Sequence, residues 1–391
     1  MKILHITNYY HEGFGYQENC LTVSQKELGN DVRIITSDYY APFPNYDSTM
    51  KLFLGDRKKG DGVFQDKGIK LIRKKSMLSN SRPGFKYFSV SKELLDYNPD
   101  VVHVHGATNT WLPQLIRLQK KVKFKLFIDV HQDYSVENYS MGYIGGVYYY
   151  LWKLYHRKLI VRGNVKAYLP ITKQSSEWLE KRLGIPVAMH KTSPLGVDLS
   201  TMHYTLKGES LRDKWGATEK LVIVNAGKQY EKKKIHWLVS IVELLLERDI
   251  DVFLVLVGSA DLSYDQVIEK GLSKLPHSSW IRLPFQDRKS LREIYSASDV
   301  GIWPGIPSNT IQEAMACGVA LFVPNNNIVG HLIGENGYYI PKDDGQMVEY
   351  LCKLFHSREL LEKMKASSIE IIKDKYSWDR IASDLLKLYR L

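Results

Sequence analysis

Cysteine is scarce in this chain of 391 residues, and its three cysteines, Cys20, Cys317 and Cys352, stand far apart. Such cysteines form neither a disulfide framework nor a CxxC metal site, as is typical of a reducing compartment. No apolar run approaches the roughly 20 residues that cross a bilayer, and the chain opens into a strand pattern rather than a signal peptide. These absences predict a cytoplasmic protein without structural disulfides.

A metal-binding pattern is missing too. Asp249-Ile250-Asp251 has the D-x-D form that holds a divalent ion in some sugar-nucleotide enzymes. It precedes a predicted strand, however, and therefore falls at the wrong edge of the sheet for a ligand. No other group of His, Cys or Asp residues has ligand spacing. The sequence therefore predicts no metal site.

Positive charge is in excess, with a formal net charge of +11, and residues 51–86 hold 11 lysines and arginines against three aspartates. This asymmetry fits an anionic lipid, a nucleic acid or a diphosphate, although a solvated basic face fits as well. Residues 148–158 (YYYLWKLYHRK) mix Trp and Tyr with Lys and Arg. That mixture suits the headgroup layer of a membrane, and a helix packed on its own domain is the alternative.

The first half alternates between strand and helix patterns. Residues 2–7 (KILHIT) and 31–36 (DVRIIT) are predicted strands, and the residues between them, 17–28, have helical spacing. Further predicted strands cover residues 101–105, 126–131 and 167–171. This alternation indicates a parallel sheet wrapped by helices. Residues 39–81, rich in Pro, Asp, Gly and Lys, break the rhythm and predict a long loop.

The second half repeats the plan after a junction at residues 193–198, which contains Pro and Gly. Its predicted strands cover 221–225, 252–257, 280–283, 300–303 and 319–323, and its predicted helices cover 235–247, 290–297 and 311–317. The sequence thus predicts an α/β protein of two doubly wound, Rossmann-like domains, 1–195 and 196–376, and an amphipathic terminal helix at 377–391. Ligands of such sheets bind beyond the carboxyl ends of strands, so site residues should directly follow strands.

Three positions in the first half meet this condition. The loop of residues 11–18 (HEGFGYQE) precedes a helix, so the backbone at Gly15 is suited to approach a phosphate. An ordinary turn fits as well, because the third glycine of a dinucleotide fingerprint is missing. His105 and His131 each end a predicted strand, where a histidine can hydrogen-bond a sugar hydroxyl or a developing charge. A structural histidine is the alternative for either.

In the second half, the first strand leads into residues 227–234 (GKQYEKKK). Lys228, directly past the strand, and Lys233, at the start of the next helix, can bracket a diphosphate from two sides. A solvated lysine run is the alternative interpretation.

The stretch of residues 303–318 (WPGIPSNTIQEAMACG) combines a strand end, a polar helix start and one acid. Ser308 is a natural N-cap, and the free amides of Asn309 and Thr310 would then face an anion. Glu313, about one turn further, can accept hydrogen bonds from the two hydroxyls of a ribose. The alternative is an acid that interacts only with the dipole of its own helix.

Taken in order, these motifs resemble the GT4 family of retaining, nucleotide-sugar-dependent glycosyltransferases, which have the GT-B fold of two Rossmann-like domains facing a central cleft. The resemblance covers nearly the whole chain and rests on the order and spacing of the motifs. The motifs are KILHITNYY with Gly15 and Glu18, VVHVHG, DVHQD, PLGVD, AGKQYEKKKI, LVG at 256–258, YSASDV, EAMACG and SWDRIASDLLKLY.

The resemblance implies an acceptor-binding first domain, a nucleotide-sugar-binding second domain and a last helix that crosses back to the first. It implies a UDP- or GDP-linked sugar as substrate and no cofactor, with lysines and a helix start neutralising the diphosphate in place of a metal. The implied catalytic residues are His131, Lys228 and Lys233, and the implied substrate-binding residues are Gly15, Glu18, His105, Ser308, Asn309, Thr310 and Glu313. In this set the lysines face the diphosphate, Glu313 the ribose and His131 the transferred sugar.

One departure concerns the E-x7-E pattern of the family. The position eight residues before Glu313 is Gly305, and the acid missing there normally contacts the donor sugar. Altered sugar selectivity, a displaced substitute or weakened activity would each be consistent with this change. Lys228 also stands in the place of an arginine and loses its bidentate fork.

The sequence therefore predicts a retaining glycosyltransferase that acts on a glycan or lipid-linked acceptor in cell-surface polysaccharide synthesis. We expect it in the cytoplasm, peripheral on the inner face of an anionic membrane. A sugar-nucleotide 2-epimerase of the same fold is one alternative, although its acid and base carboxylates are not evident. A non-catalytic, nucleotide-binding relative is another, which the missing acid at Gly305 leaves open. No recognition motif supports a nucleic-acid partner.

Overall fold

The computed structural model describes residues 1–43, 46–49, 51–77, 87–134, 142–308 and 310–391. The chain divides into two compact units. Met1–Leu195 together with Trp378–Leu391 forms the first unit, and Gly196–Ser377 forms the second.

The first unit is built on a seven-stranded sheet of order β3-β4-β2-β1-β5-β6-β7. Its strands are β1 (Lys2–Ile6), β2 (Asp31–Ser37), β3 (Gly62–Asp66), β4 (Ile69–Lys74), β5 (Val101–His105), β6 (Lys125–Val130) and β7 (Ala167–Pro170). Its helices before residue 195 are α1 (Gln17–Glu27), α2 (Tyr46–Thr49), α3 (Lys51–Leu54), α4 (Ser91–Tyr97), α5 (Leu112–Leu118), α6 (Gly142–Val161) and α7 (Lys173–Leu183). All neighbouring strands pair in parallel except β3 and β4. The strand order runs outwards in both directions from β1, as in a doubly wound sheet.

Both faces of this sheet are covered, so the apolar residues of its central strands are buried on either side. In β1, Leu4 and Ile6 pack into one buried apolar cluster, and Ile3 packs into a second cluster on the opposite face. The alternation follows from the two-residue period of a strand.

The prediction of a long loop at residues 39–81 is wrong for the part of this segment that the structure describes. Two short helices, α2 and α3, are followed there by the antiparallel hairpin of β3 and β4, and β4 pairs in parallel with β2. The hairpin turn is Lys67-Gly68, and both residues have positive φ, as a two-residue turn of this kind requires. The strands escaped notice because β3 is largely exposed and only β4 has buried apolar positions.

The second unit is a six-stranded parallel sheet of order β10-β9-β8-β11-β12-β13. Its strands are β8 (Leu221–Ala226), β9 (Val252–Val257), β10 (Trp280–Leu283), β11 (Val300–Ile302), β12 (Ala320–Val323) and β13 (Gly337–Tyr339). Its helices are α8 (Lys207–Lys214), α9 (Ile235–Leu246), α10 (Leu262–Leu272), α11 (Arg288–Ser296), α12 (Thr310–Ala316), α13 (Asp344–His356) and α14 (Arg358–Ile371), with a π-helical turn at Ile372–Tyr376. No pattern in the sequence predicted β13, which has three residues.

The last helix, α15 (Trp378–Arg390), belongs to the first unit. Its buried side chains Trp378, Ile381 and Leu385 join the apolar cluster that contains Ile3. No helix within the described ranges combines the length and the apolar character that crossing a bilayer requires.

Candidate active site

Three neighbouring strands of the first sheet carry a group of polar side chains. His5 of β1 pairs in register with His103 of β5, and His105 of β5 pairs with Asp129 of β6. Because strand residues two apart share a face, all four side chains lie on the same face of the sheet. His5, His103 and Asp129 are fully buried, and the side chain of His105 is only 8% exposed.

The carboxylate of Asp129 is the centre of this group. Its Oδ2 lies 2.6 Å from Nδ1 of His105 and 3.2 Å from Nε2 of His103. Its Oδ1 accepts a hydrogen bond of 3.2 Å from the backbone N–H of Gly106. Both oxygens of a buried carboxylate are thus satisfied, as burial of a charge requires.

The network extends to two helices of the first unit. Nδ1 of His5 lies 3.0 Å from Nε2 of His105. Nε2 of His5 lies 2.8 Å from Oε1 of Gln25 in α1, so His5 links His105 to this helix. Nδ1 of His103 contacts the hydroxyl of Tyr389 in α15. We call these six residues the Asp129 network: His5, Gln25, His103, His105, Asp129 and Tyr389.

Burial and charge set the protonation of the network. Burial disfavours a charged Asp129, but the charge of His105 and hydrogen bonds from the histidines hold the pKa of this carboxyl well below its usual value. Burial also disfavours a charged His105, yet the carboxylate of Asp129 raises the pKa of that ring. Burial lowers the pKa of His103 and, with the neighbouring rings, lowers that of His5 well below its usual value. Near pH 6.5 and just below it, the network therefore holds one ion pair, Asp129 with His105, beside two histidines whose neutral form is favoured.

The expectation that no further His, Cys or Asp residues form a ligand group needs correction. The side chains of His103, His105 and Asp129 place ligand atoms within 4.8 Å of one another. Sequence spacing missed this group because two strands of the sheet contribute to it. Its atoms are engaged in the hydrogen bonds just described, and metal independence stays a prediction.

His131 directly follows β6 and lies two residues beyond Asp129. Its Nε2 contacts Oε1 of Gln17, the first residue of α1, and is 3.8 Å from Oδ1 of Asp129. The side chain of His131 is 42% exposed, unlike the buried rings behind it. His131 is therefore the histidine of this sheet edge that is accessible to a ligand, whereas both ring nitrogens of His105 are engaged within the protein.

The glycine loop between β1 and α1 lies at the same edge. Gly15 is exposed, and Glu18 lies half-buried in the first turn of α1. Burial raises the pKa of Glu18, and the charge of His105 opposes the rise.

A buried arginine from β4 fixes this loop. Arg73 donates to the carbonyl oxygens of Tyr10 and Ser37 at 2.9 and 3.0 Å, and to Oε1 of Glu12 at 2.7 Å. The hydroxyl of Tyr40 donates to the other oxygen of Glu12 at 2.6 Å. The sequence did not predict this contribution, because residues 39–81 were interpreted as a long loop.

In the second unit, the loops after β8, β9 and β11 pack together at the carboxyl edge of the sheet. A Cβ atom at Gly258 would lie 2.1 Å from the carbonyl oxygen of Gly227, and a Cβ atom at Gly227 would lie 3.1 Å from Oγ of Ser308. Both glycines have positive φ, a backbone conformation that favours glycine, and at Gly258 the close approach to a backbone carbonyl oxygen requires glycine as well. Asp249 and Asp251, by contrast, precede β9 and lie at the amino edge.

Lys233 is the more enclosed of the two predicted lysines. Its ammonium donates a 2.8 Å hydrogen bond to the carbonyl oxygen of Pro307, and burial lowers the pKa of Lys233 to about 8. Lys228 is mostly exposed, with its ammonium 3.5 Å from Oδ1 of Asp261. One lysine is therefore fixed against the loop after β11, and the other remains accessible.

Helix α12 begins at Thr310, one residue before the predicted start, and Oγ1 of Thr310 donates to the carbonyl oxygen of Ala226 at 2.9 Å. The residue that precedes it is Asn309, which lies outside the described residues. Oε1 of Glu313 is 3.4 Å from Nη1 of Arg288, and the Glu313 side chain is 21% exposed. Burial raises the pKa of Glu313, and Arg288 opposes the rise. Arg288 is thus a partner of the predicted ribose-binding acid that sequence analysis did not identify.

The sequence matches two protein-family models. A model described as Glycosyltransferase Family 4 matches residues 21–201, and a model described as Glycosyl transferases group 1 matches residues 220–357. The chain belongs to the GT4-type glycosyltransferases.

Solved structures agree with this assignment at the level of fold. The Anabaena protein HepE in complex with UDP matches the glycosyltransferase over 100% of both chains, with a TM-score of 0.69 and 14% sequence identity. Sucrose-phosphate synthase from Thermosynechococcus elongatus matches 100% of this chain and 98% of its own, with a TM-score of 0.65 and 16% identity. The predicted GT-B fold is confirmed.

Two curated relatives share higher sequence identity over smaller parts of the chain. Spore coat protein SA of Bacillus subtilis is 27% identical over 324 residues, which cover 77% of this glycosyltransferase and 81% of that protein. The GDP-mannose-dependent alpha-(1-6)-phosphatidylinositol dimannoside mannosyltransferase of Mycobacterium tuberculosis is 22% identical over 201 residues, 50% of either chain.

The predicted site residues of the glycosyltransferase fall into two sets. Gly15, Glu18, His105 and His131 lie in the first unit, at the carboxyl ends of β1, β5 and β6. Lys228, Lys233, Ser308, Thr310 and Glu313 lie in the second unit, in or directly after the loops that follow β8 and β11. Their roles toward a substrate stay predictions.

Proposed function

We propose that this glycosyltransferase moves a sugar, with retention of anomeric configuration, from a UDP- or GDP-linked donor to a glycan or lipid-linked acceptor in cell-surface polysaccharide synthesis. The observation that supports it best is the packing of Lys233 against the loop that leads to Glu313. Two cationic groups that follow β8 and one acid in the first turn of α12 then lie at the carboxyl edge of the second sheet, where ligands of such sheets bind.

The proposed roles follow from charge and enclosure. Lys233 and Lys228 neutralise the diphosphate as it leaves, which lets the reaction proceed without a metal. The carboxylate of Glu313 accepts hydrogen bonds from the ribose hydroxyls. His131 contacts the transferred sugar, so its replacement by alanine should lower transfer more than nucleotide affinity.

The names of similar proteins support the donor class. Solved neighbours were determined with UDP and with UDP-glucose, and the mycobacterial relative uses GDP-mannose. The direct test is calorimetric titration with UDP, GDP and ADP, with and without magnesium, followed by analysis of the anomeric configuration of any transfer product. Binding without transfer would favour the non-catalytic relative, and conversion of the donor sugar into its 2-epimer would favour the epimerase.

The ribose contact gives a separate prediction. Nucleotides lacking the 2′-hydroxyl should bind the wild type about 10- to 100-fold more weakly, since hydrogen bonds to charged groups contribute roughly 1.5–3 kcal/mol. Glu313→Gln should reduce this discrimination, because the amide is neutral. The titrations compare Glu313→Gln with Glu293→Gln, which carries the same change on α11. Equal discrimination in all three proteins would remove Glu313 from the ribose site.

The membrane part of the proposal depends on α6, whose inner face is fixed in the first unit. The ring of His156 is fully buried there, with Nδ1 accepting from the hydroxyl of Tyr168 at 2.7 Å and Nε2 donating to the carbonyl oxygen of Ala107 at 2.9 Å. Leu159 is buried beside it. The helix thus packs on its own domain, as one interpretation of residues 148–158 predicted.

The opposite side of α6 is apolar, basic and exposed. Its exposed apolar residues are Val147, Tyr150, Leu151, Leu154 and Val161, and its exposed basic residues, with Arg162 just beyond the helix end, are Lys153, Arg157, Lys158 and Arg162. We call these nine residues the α6 outer face. No Asp or Glu occurs between residues 142 and 166. An apolar stripe flanked by positive charge complements an anionic lipid surface, and we propose that the acceptor is reached there.

We expect the protein to co-sediment with vesicles that contain phosphatidylglycerol at low salt and to be released as salt rises, because screening weakens the basic contacts. Leu151→Glu should weaken binding about tenfold, since burying a leucine contributes roughly 1.5–3 kcal/mol. Leu262→Glu is the matched control, because Leu262 is an exposed leucine of α10 in the other unit. Equal binding of both variants would contradict a role for the α6 outer face.

A further inference from the structure

Gly305 stands where the E-x7-E pattern has an acid, and the structure shows what occupies the space beside it. A Cβ atom at Gly305 would lie 2.0 Å from the carbonyl oxygen of Lys232 and 2.7 Å from the Cα and carbonyl carbon of Lys233. These are backbone atoms, which cannot turn aside as the end of a side chain can. No side chain fits at position 305 while the two loops keep this arrangement.

The close approach is reinforced by two hydrogen bonds. The backbone N–H of Ile306 donates to the carbonyl oxygen of Lys232 at 3.0 Å. The ammonium of Lys233 donates to the carbonyl oxygen of Pro307 at 2.8 Å. Residues 305–307 therefore fix Lys233 at both its backbone and its charged end. Among these three residues, position 305 is the one where a side chain would collide with the backbone of Lys232 and Lys233.

We propose that Gly305 is a positioning residue, which lets the loop after β11 approach the backbone of Lys232 and Lys233 and so fixes Lys233 for a nucleoside diphosphate. This inference depends on the proposed donor site. It gives the departure at position 305 a physical cause, because the backbone of the lysine loop fills the volume that an acid side chain would need. The donor sugar is then bound without a carboxylate from this position.

Gly305→Ala should force the two loops apart, since even a methyl group overlaps a carbonyl oxygen. Lys233 would lose its contact with Pro307 and become more exposed, and its pKa should rise from about 8 towards the ordinary lysine value of 10.5. We expect nucleotide affinity to fall at least tenfold. Gly305→Glu should weaken binding at least as much, although it restores the acid of the pattern.

The experiment uses the full chain and two readouts. The first is the affinity of wild type, Gly305→Ala and Gly305→Glu for UDP and GDP. The second is the rate of Lys233 acetylation by acetic anhydride as a function of pH, quantified by mass spectrometry, which reports the pKa without any nucleotide. Gly330→Ala is the control, because a Cβ atom at Gly330 would come no closer than 3.5 Å to another group.

Weaker nucleotide binding together with a raised Lys233 pKa in Gly305→Ala, but not in Gly330→Ala, would support the inference. An unchanged Lys233 titration in a folded Gly305→Ala protein would overturn it. If the wild type binds neither nucleotide, the proposed donor site fails, while the acetylation rates still decide whether Gly305 positions Lys233. Tighter binding by Gly305→Glu would also overturn it.

Discussion

Lys233→Ala is expected to weaken nucleoside diphosphate binding about 30- to 100-fold, or roughly 2–3 kcal/mol, as loss of a hydrogen-bonded charge does. Lys233 is the enclosed lysine of the second sheet edge, and among the described residues its ammonium has one hydrogen-bond acceptor, the carbonyl oxygen of Pro307, for three N–H donors. The remaining donors are available to phosphate oxygens. Calorimetric titration of wild type and variant measures the difference.

The pH dependence gives the same prediction a second readout. Below pH 8 the ammonium of Lys233 is charged, and as pH rises through its pKa of about 8 the charge and its attraction for phosphate are lost. Wild-type affinity should therefore fall between pH 7 and pH 9, and the affinity of Lys233→Ala should change much less. Lys232→Ala, at the exposed neighbouring lysine, is the control. If Lys232→Ala weakens binding as much as Lys233→Ala, net charge alone explains the effect.

Asp129→Asn is expected to lower the free energy of unfolding by about 3–5 kcal/mol, the usual effect of removing one partner of a buried ion pair. The variant leaves His105 without its counter-charge and gives His103 an amide in place of a carboxylate, in a region with almost no exposure. Chemical denaturation at pH 6 measures the change. Asp56→Asn, at an exposed aspartate paired with Lys51, should change stability by less than about 1 kcal/mol.

The effect of Asp129→Asn should depend on pH in a definite direction. Asp129 raises the pKa of His105 above its usual 6.5, so the ion pair contributes fully below pH 6.5. The contribution is lost as pH rises through the folded-state pKa of His105, where the ring becomes neutral. The difference between wild type and variant should therefore be larger at pH 6 than at pH 9. A difference that grows with pH would contradict the assigned ion pair.

Strand–helix alternation in the sequence was sufficient to predict most of the two sheets. Strands β5, β9 and β10 begin and end at the predicted residues. For β9 the reason is that a parallel strand buried on both faces is a continuous apolar run, here VFLVLV between Asp251 and Gly258. The pattern failed for the exposed β3, for its hairpin partner β4 and for β13, which has three residues. Their position depends on pairing with neighbouring strands, which a local pattern does not record.

The site residues also divide into those that a local pattern predicts and those that depend on distant neighbours. Lys228, Lys233 and Glu313 could be proposed from the sequence because loops after parallel strands meet at one edge. The partners of these residues could not be predicted. Arg288 reaches Glu313 from the start of α11, and Arg73 reaches the glycine loop from β4.

The sequence by itself determined the two-domain α/β plan, the strands of its centre and the loops from which the candidate site is built, since these follow from periodicity and from polar residues at strand ends. Only the tertiary structure decided how those loops touch. It placed the backbone of Lys232 and Lys233 against Gly305, and it gathered His5, His103, His105 and Asp129 from three strands into one buried network. The reason is that burial, pKa and close packing depend on neighbours distant in sequence, which no single stretch of residues specifies.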